Sequence, residues 1–221
     1  MANVARLFVR RHALPPIRCF SCGSGAKDEA PTRLRIYTRT GDKGNTSNFA
    51  GQRLPKDAVT FEALGTTDEL SCAIGLASEF SQEAKHDISH ILQDIQCILQ
   101  EAASHIATPR SIATEKKLAQ TEFSAKHVDK LEQLIDKMED ELPPLKNFIL
   151  PSGGKTSASL HMARSICRRA ERKIVPLYRE GEIDQEVFKY INRLSDFLFV
   201  AARYAAKKEG KEEIIYHRVT E

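Results

Sequence analysis

The sequence predicts an all-α fold, a bundle of five helices preceded by an extended polar loop. Apolar residues recur at three- and four-residue steps through most of the chain after position 58, the spacing of one buried helix face. Proline and glycine clusters fall between these periodic segments, as helix boundaries require. Between Thr32 and Pro55 the chain is polar and punctuated by glycine, the composition of a loop.

The helices are expected near 59–80, 87–107, 124–141, 154–180 and 184–208. Ile88, Ile91, Leu92, Ile95 and Leu99 mark the apolar face of the second, and Leu194, Phe197, Leu198 and Ala201 that of the fifth. Thr108-Pro109 ends the second helix and Leu142-Pro143-Pro144 the third, because the residue before a proline is pushed out of the α region. Ser152-Gly153-Gly154 precedes the fourth helix, with Ser152 or the glycines exposing amide donors and Lys155 near them. Pro176 should kink or fray the end of that helix. The polar stretch 110–123 reads as a mobile connection.

At 221 residues, 41% hydrophobic and 29% charged, the chain suffices for one domain with one sizeable core. No apolar run approaches the roughly 20 residues needed to span a bilayer, and a net charge of +3 is too small to argue for nucleic acid. Neither a membrane nor a nucleic acid is an expected partner. The charge is unevenly spread. Residues 1–27 hold Arg6, Arg10, Arg11, Arg18 and Lys27 and no acid, and without them the formal charge would fall from +3 to −2. Residues 1–30 therefore read as a mitochondrial transit peptide and 31–221 as the folded domain, with the mitochondrial matrix as destination. Cys19 and Cys22 form a CxxC without a second pair and are expected to be removed with that segment. Cys72, Cys97 and Cys167 lie in helical patterns and read as small buried residues.

Two polar segments about 120 residues apart carry the chemistry. Thr38-Arg39-Thr40-Gly41-Asp42-Lys43-Gly44-Asn45-Thr46-Ser47 offers backbone donors, hydroxyls and a lysine, groups that cradle phosphate oxygens or complete a magnesium shell. Taken alone the string reads more readily as a plain turn. In the fourth helix Arg164, Arg168 and Glu171 fall within roughly 60° of one another. Arg168 and Arg169 diverge by about 100°, so one can face a ligand while the other serves an interface. A solvated basic face is the alternative. Asn192 and Asp196 share a face of the fifth helix. Ser152-Gly153-Gly154-Lys155-Thr156-Ser157 ends like a phosphate-binding P-loop, but Ile149 stands where that motif needs its first glycine. His86, His90, His105, His127 and His161 lack metal-site spacing and read as surface residues, and no metal site is expected.

These segments, with Phe61-Glu62-Ala63-Leu64-Gly65-Thr66-Thr67-Asp68-Glu69-Leu70, Phe148-Ile149-Leu150-Pro151-Ser152-Gly153-Gly154 and Asn192-Arg193-Leu194-Ser195-Asp196, resemble the PduO-type ATP:cob(I)alamin adenosyltransferases from about Arg35 to about Tyr216. The resemblance implies transfer of the 5′-deoxyadenosyl group of ATP to cob(I)alamin with release of triphosphate. ATP would be the co-substrate, accompanied by magnesium, and cobalamin the substrate. It implies nucleotide contacts from Thr38, Arg39, Thr40, Gly41, Thr46, Ser47, Lys56, Arg168, Arg169, Ala170, Glu171, Arg172 and Asn192. It assigns catalytic roles to Arg168, Asp196 and Phe148, the last against the lower face of the corrin, where the default reading is core packing. It implies a homotrimer in which Asp68 and Arg164 pair across the subunit boundary, with methylmalonyl-CoA mutase and a cobalamin reductase as further partners. Competing readings are an ATP-gated cobalamin carrier, a helical scaffold without catalysis, and a kinase that would release ADP.

Overall fold

The computed structural model describes residue 37 and residues 39–219. The proposed transit peptide, the Cys19/Cys22 pair and Thr38 lie outside the described residues. Helices α1 (Val59–Glu83), α2 (Ser89–Ile106), α4 (Lys126–Glu139), α5 (Gly154–Arg179) and α6 (Gln185–Lys208) are the five expected from periodicity. The stretch expected to be a mobile connection instead holds a short sixth helix, α3 (Glu115–Gln120). Strands β1 (Asn45–Ser47) and β2 (Arg53–Pro55) form a hairpin within the N-terminal loop, with Thr46 opposite Leu54.

Packing follows the apolar stripes. Helix α5 lies between α1 and α6, α2 covers α1, and α4 covers α6. Helix α6 is deeply buried, with Val187, Tyr190, Ile191, Leu194, Phe197, Leu198, Ala201 and Ala205 all fully covered. Burying each large apolar side chain of this kind contributes about 1.5–3 kcal/mol. Within α1 the polar pair Thr66 and Thr67 is buried as well, because their hydroxyls donate to the carbonyls of Glu62 and Ala63 at 2.7 and 2.8 Å. Those threonines are thereby satisfied inside their own helix.

Helix α5 begins at a glycine corner. Gly153 and Gly154 have φ of 89° and 95°, and a Cβ on Gly153 would stand 2.6 Å from the Cβ of Ala206. Only glycine lets α5 approach α6 this closely. Ser152 does not cap the helix; its hydroxyl donates to the Leu150 carbonyl and accepts from the Ile214 amide. Lys155 lies over the Phe80 ring at 5.7 Å. A Cβ on Gly154 would lie 2.6 Å from a carboxylate oxygen of Glu209, so the positive end of α5 already faces an anion from its own chain. Past Pro176 the helix continues only to Arg179, and Gly181 (φ 71°) turns the chain into α6.

Two expectations about side chains are corrected. Cys72 and Cys97 are exposed and only Cys167 is buried, since the first two sit one position off the buried stripes Leu70–Ser71–Ala73–Ile74 and Ile95–Ile98–Leu99. His105 and His161 are buried and not on the surface, and the His86 side chain is almost covered beside Glu209. His105 is satisfied on both nitrogens: Nδ1–H donates to the Thr121 carbonyl at 2.8 Å and Nε2 accepts the Asp184 amide at 3.0 Å. That pairing fixes the neutral tautomer, and burial holds its pKa below the usual value.

Candidate active site

The N-terminal loop is held as a compact turn on the bundle. Gly44 N–H donates to the Gly41 carbonyl at 3.2 Å, Lys56 N–H to the Gly44 carbonyl at 2.9 Å, and Arg53 reaches the Thr40 carbonyl at 2.8 Å. Gly41 is packed so closely against Lys56 that a Cβ there would stand 3.0 Å from Nζ. Arg39, with φ of 58°, adopts a left-handed conformation that costs about 1 kcal/mol in a non-glycine residue. Thr46 and Ser47 are half-buried on β1. The hairpin tip is docked by Phe49 N–H on the Ala107 carbonyl at 2.8 Å and by Lys117 Nζ on the Ala50 carbonyl at 3.0 Å.

The basic segment of α5 divides by direction, as the 100° step requires. Arg169 turns to α1 and pairs with Glu69, and one turn later Lys173 pairs with Glu62 at 3.0 Å. Arg168 and Arg172 point outward, exposed and without a carboxylate partner among the described residues. Glu171 accepts a hydrogen bond from the Asn192 amide at 2.8 Å, joining α5 to α6. Asp196 lies one turn beyond Asn192 and is held by Arg193, which also reaches Glu132 of α4 at 2.9 Å. An open cleft between α4 and α6, lined in part by Asp129, Glu132, Lys189, Asn192 and Arg193, continues this edge. The Ala170 side chain is fully buried, so it is packing and not a side-chain contact for a ligand.

Loop and basic edge lie at one end of the bundle. The pairs Glu62–Lys173 and Glu69–Arg169 set α5 antiparallel to α1, with its basic half beside the first turns of α1. Lys56 stands three residues before α1 begins, so the root of the loop is at the level of Arg172 and Lys173.

Arg164 behaves differently from its neighbours. Its guanidinium lies 6.0 Å from the Phe199 ring centroid, and its Nε is buried with no hydrogen-bond partner. Asp68 is exposed on α1 without an ion-pair partner among the described residues. His161, one turn before Arg164, has an unpartnered Nδ1, and burial followed by the Arg164 charge pushes its pKa down to about 4. Phe148 is 75% exposed at the opposite end of α5, contradicting simple core packing.

Sequence reasoning missed the ion pairs from Glu62 and Glu69, although their seven-residue spacing places both on one face of α1. It also missed buried Arg203, a lone cation inside the otherwise uncharged run Phe199–Ala206. Among the described residues no three His, Cys, Asp or Glu side chains gather closely enough to hold a metal ion. Among them, too, no helix is long and apolar enough to cross a membrane.

A helical bundle with a two-glycine loop and an exposed, incompletely neutralised arginine edge at one end belongs to the class of proteins equipped to hold a polyanion outside the P-loop fold. The sequence pattern of the cobalamin adenosyltransferase family matches residues 36–205, and the chain belongs to that family. It is 56% identical over 188 residues to the human corrinoid adenosyltransferase MMAB, covering 85% of this chain and 75% of that protein. It is 42% identical over 187 residues to the corrinoid adenosyltransferase of Bacillus subtilis, covering 84% and 93%. Among solved structures, a point variant of the PduO-type ATP:corrinoid adenosyltransferase from Lactobacillus reuteri, complexed with cobalamin and ATP, superposes with a TM-score of 0.77. The identity is 37%, covering 83% of this chain and all of that one.

Proposed function

We propose that this chain transfers the 5′-deoxyadenosyl group of ATP to cob(I)alamin. The observation that carries the reading is the edge formed by Arg168, Arg172 and the Glu171–Asn192 pair, set at the same end of the bundle as the Gly41–Lys56 turn. Cob(I)alamin, the nucleophilic substrate, attacks the 5′ carbon; a cobalt–carbon bond forms and the carbon–oxygen bond to triphosphate breaks. No side chain becomes covalently attached. The two outward arginines and Lys56 stabilise charge developing on the leaving triphosphate, while Arg39, Thr40, Gly41, Thr46 and Ser47, joined by Thr38, surround the nucleotide. The Glu171 carboxylate orients Asn192, and Asp196 lies beside the reacting groups. Magnesium carried in with ATP would take hard oxygen ligands, for which the hydroxyls of Thr46 and Ser47 are suited. Phe148 presents an apolar ring to the lower corrin face and keeps water and the nucleotide tail off the cobalt.

The unsatisfied Nε of Arg164 and an Asp68 without an ion-pair partner among the described residues support a homotrimer in which these two residues meet between subunits, with each nucleotide site completed by a neighbouring chain. The acid-free opening segment favours import into the mitochondrial matrix, where methylmalonyl-CoA mutase would consume the product and a reductase supply the substrate.

Purified protein, ATP and chemically reduced cobalamin should yield adenosylcobalamin and triphosphate with no added partner. ADP as the product would instead indicate a kinase, and binding without turnover would indicate a carrier.

A further inference from the structure

Phe148 stands on a small platform made from two stretches distant in sequence. Residues 148–150 run antiparallel to 214–216: Tyr216 N–H donates to the Phe148 carbonyl at 2.8 Å, Leu150 N–H donates to the Ile214 carbonyl at 2.8 Å, and Ile149 pairs with Ile215. Ser152 stitches the two together through its hydroxyl. The Tyr216 ring meets Phe148 edge-on, with centroids 6.0 Å apart and planes at 83°. Since Phe148 is so exposed, this platform and not the core sets the position of its ring.

The platform is tied to the bundle by one buried charge. Arg203 on α6 is 6% exposed, and a guanidinium that deep must be supplied with acceptors or it destabilises the fold. Its Nε donates to a Glu213 carboxylate oxygen at 3.2 Å and a terminal nitrogen donates to the Pro143 carbonyl at 2.9 Å. Glu213 immediately precedes the tail strand, and Pro143 begins the connection that leads to Phe148. The two acceptors belong to the two halves of the platform.

We propose that Arg203 is a positioning residue for Phe148, clamping the tail and the 143–150 connection so that the ring keeps a fixed place beneath the corrin. This rests on the reading that Phe148 faces the corrin. With the clamp broken, the platform separates and a fifth ligand returns to the cobalt of bound cob(II)alamin.

The test uses full-length Glu213→Ala, Arg203→Met and Phe148→Ala proteins with two readouts: amide hydrogen exchange at Leu150 and Tyr216, and the absorption and electron-paramagnetic spectra of cob(II)alamin bound with ATP. Glu213→Ala and Arg203→Met should speed exchange at those amides about tenfold while leaving α1 unchanged. They should also reduce the fraction of cob(II)alamin lacking a lower axial ligand, with ATP affinity held within about twofold. Glu213 is only partly covered, so its variant carries the test if Arg203→Met does not fold. Native spectra in both clamp variants, with an altered spectrum in Phe148→Ala, would overturn the positioning role and leave the corrin reading standing. Faster exchange with a native spectrum would overturn it as well. A native spectrum in Phe148→Ala would remove the corrin reading, and the proposal with it.

Discussion

Adjacent arginines on α5 have different surroundings, and the consequence is measurable. Arg169 is neutralised by Glu69, whereas Arg168 has no carboxylate partner among the described residues, which leaves it for the proposed triphosphate contact. Arg168→Ala should lower kcat/KM by the equivalent of about 2–4 kcal/mol, the usual loss for one charge-assisted donor in a transition state. Turnover near normal at both low and saturating ATP would contradict the role. His161 supplies a second residue-scale test. The unfolded chain takes up this proton near pH 6.5, but the folded chain resists until about 4, so the unfolded state binds more protons in that window and stability falls as pH is lowered through it. Up to about 3 kcal/mol would be lost. His161→Gln should flatten the dependence of the urea midpoint on pH between those values, and the lowered pKa of His105 acts in the same direction. An unchanged slope would show that His161 does not control it. In the sequence, the 100° divergence of Arg168 and Arg169 was legible as two directions, but not which residue took which, because the carboxylate that pairs with Arg169 is 100 residues away. Cys72 and Cys97 misled for a simpler reason: one step around a helix separates core from solvent.

At the scale of elements, α1 and α5 are fastened along one side by Glu62–Lys173 and Glu69–Arg169, leaving Asp68 and Arg164 to look elsewhere. If they meet between subunits, Asp68→Ala should weaken assembly and activity together, which sedimentation velocity and the adenosylation assay would follow in parallel. A fully active monomer would remove the intersubunit site. The five long helices were readable from their apolar spacing, and the ends of α2, α4, α5 and α6 fell shortly before a proline or glycine, whereas α1 runs to Glu83, past the expected 80, with neither residue to stop it. The short α3 has no buried residue and hence no stripe to read. The β1–β2 hairpin was hidden too, since it is shaped by Asn48 accepting the Gln52 amide at 2.9 Å and by docking on Ala107, with no alternation to announce it. The strap at 214–216 pairs with residues more than 60 positions earlier, and no local pattern encodes such a partner.

For the whole molecule, the described residues form a continuous apolar core. Among the described residues, the buried apolar side chains of this cluster lie between Ala63 and Ala205, a span that begins well after position 27. Deleting residues 1–27 should therefore leave the melting temperature and kcat nearly unchanged, while those residues fused to a reporter should carry it into mitochondria. A reporter left in the cytosol would refute the targeting role, and a large drop in melting temperature would show that the segment packs on the bundle.

The unequal burial of the three cysteines gives the folded domain a further property. Cys167 donates its S–H to the Ile191 carbonyl at 3.2 Å, and burial pushes its pKa far above the ordinary thiol range, so it resists alkylation while the bundle is intact. Cys72 and Cys97 stand open on α1 and α2. In the form lacking residues 1–27, and with it Cys19 and Cys22, the domain holds two native attachment points for a dye pair and one that opens only on unfolding. The distance between the first two helices and the rate at which the centre of the bundle breathes are both accessible without introducing a single cysteine.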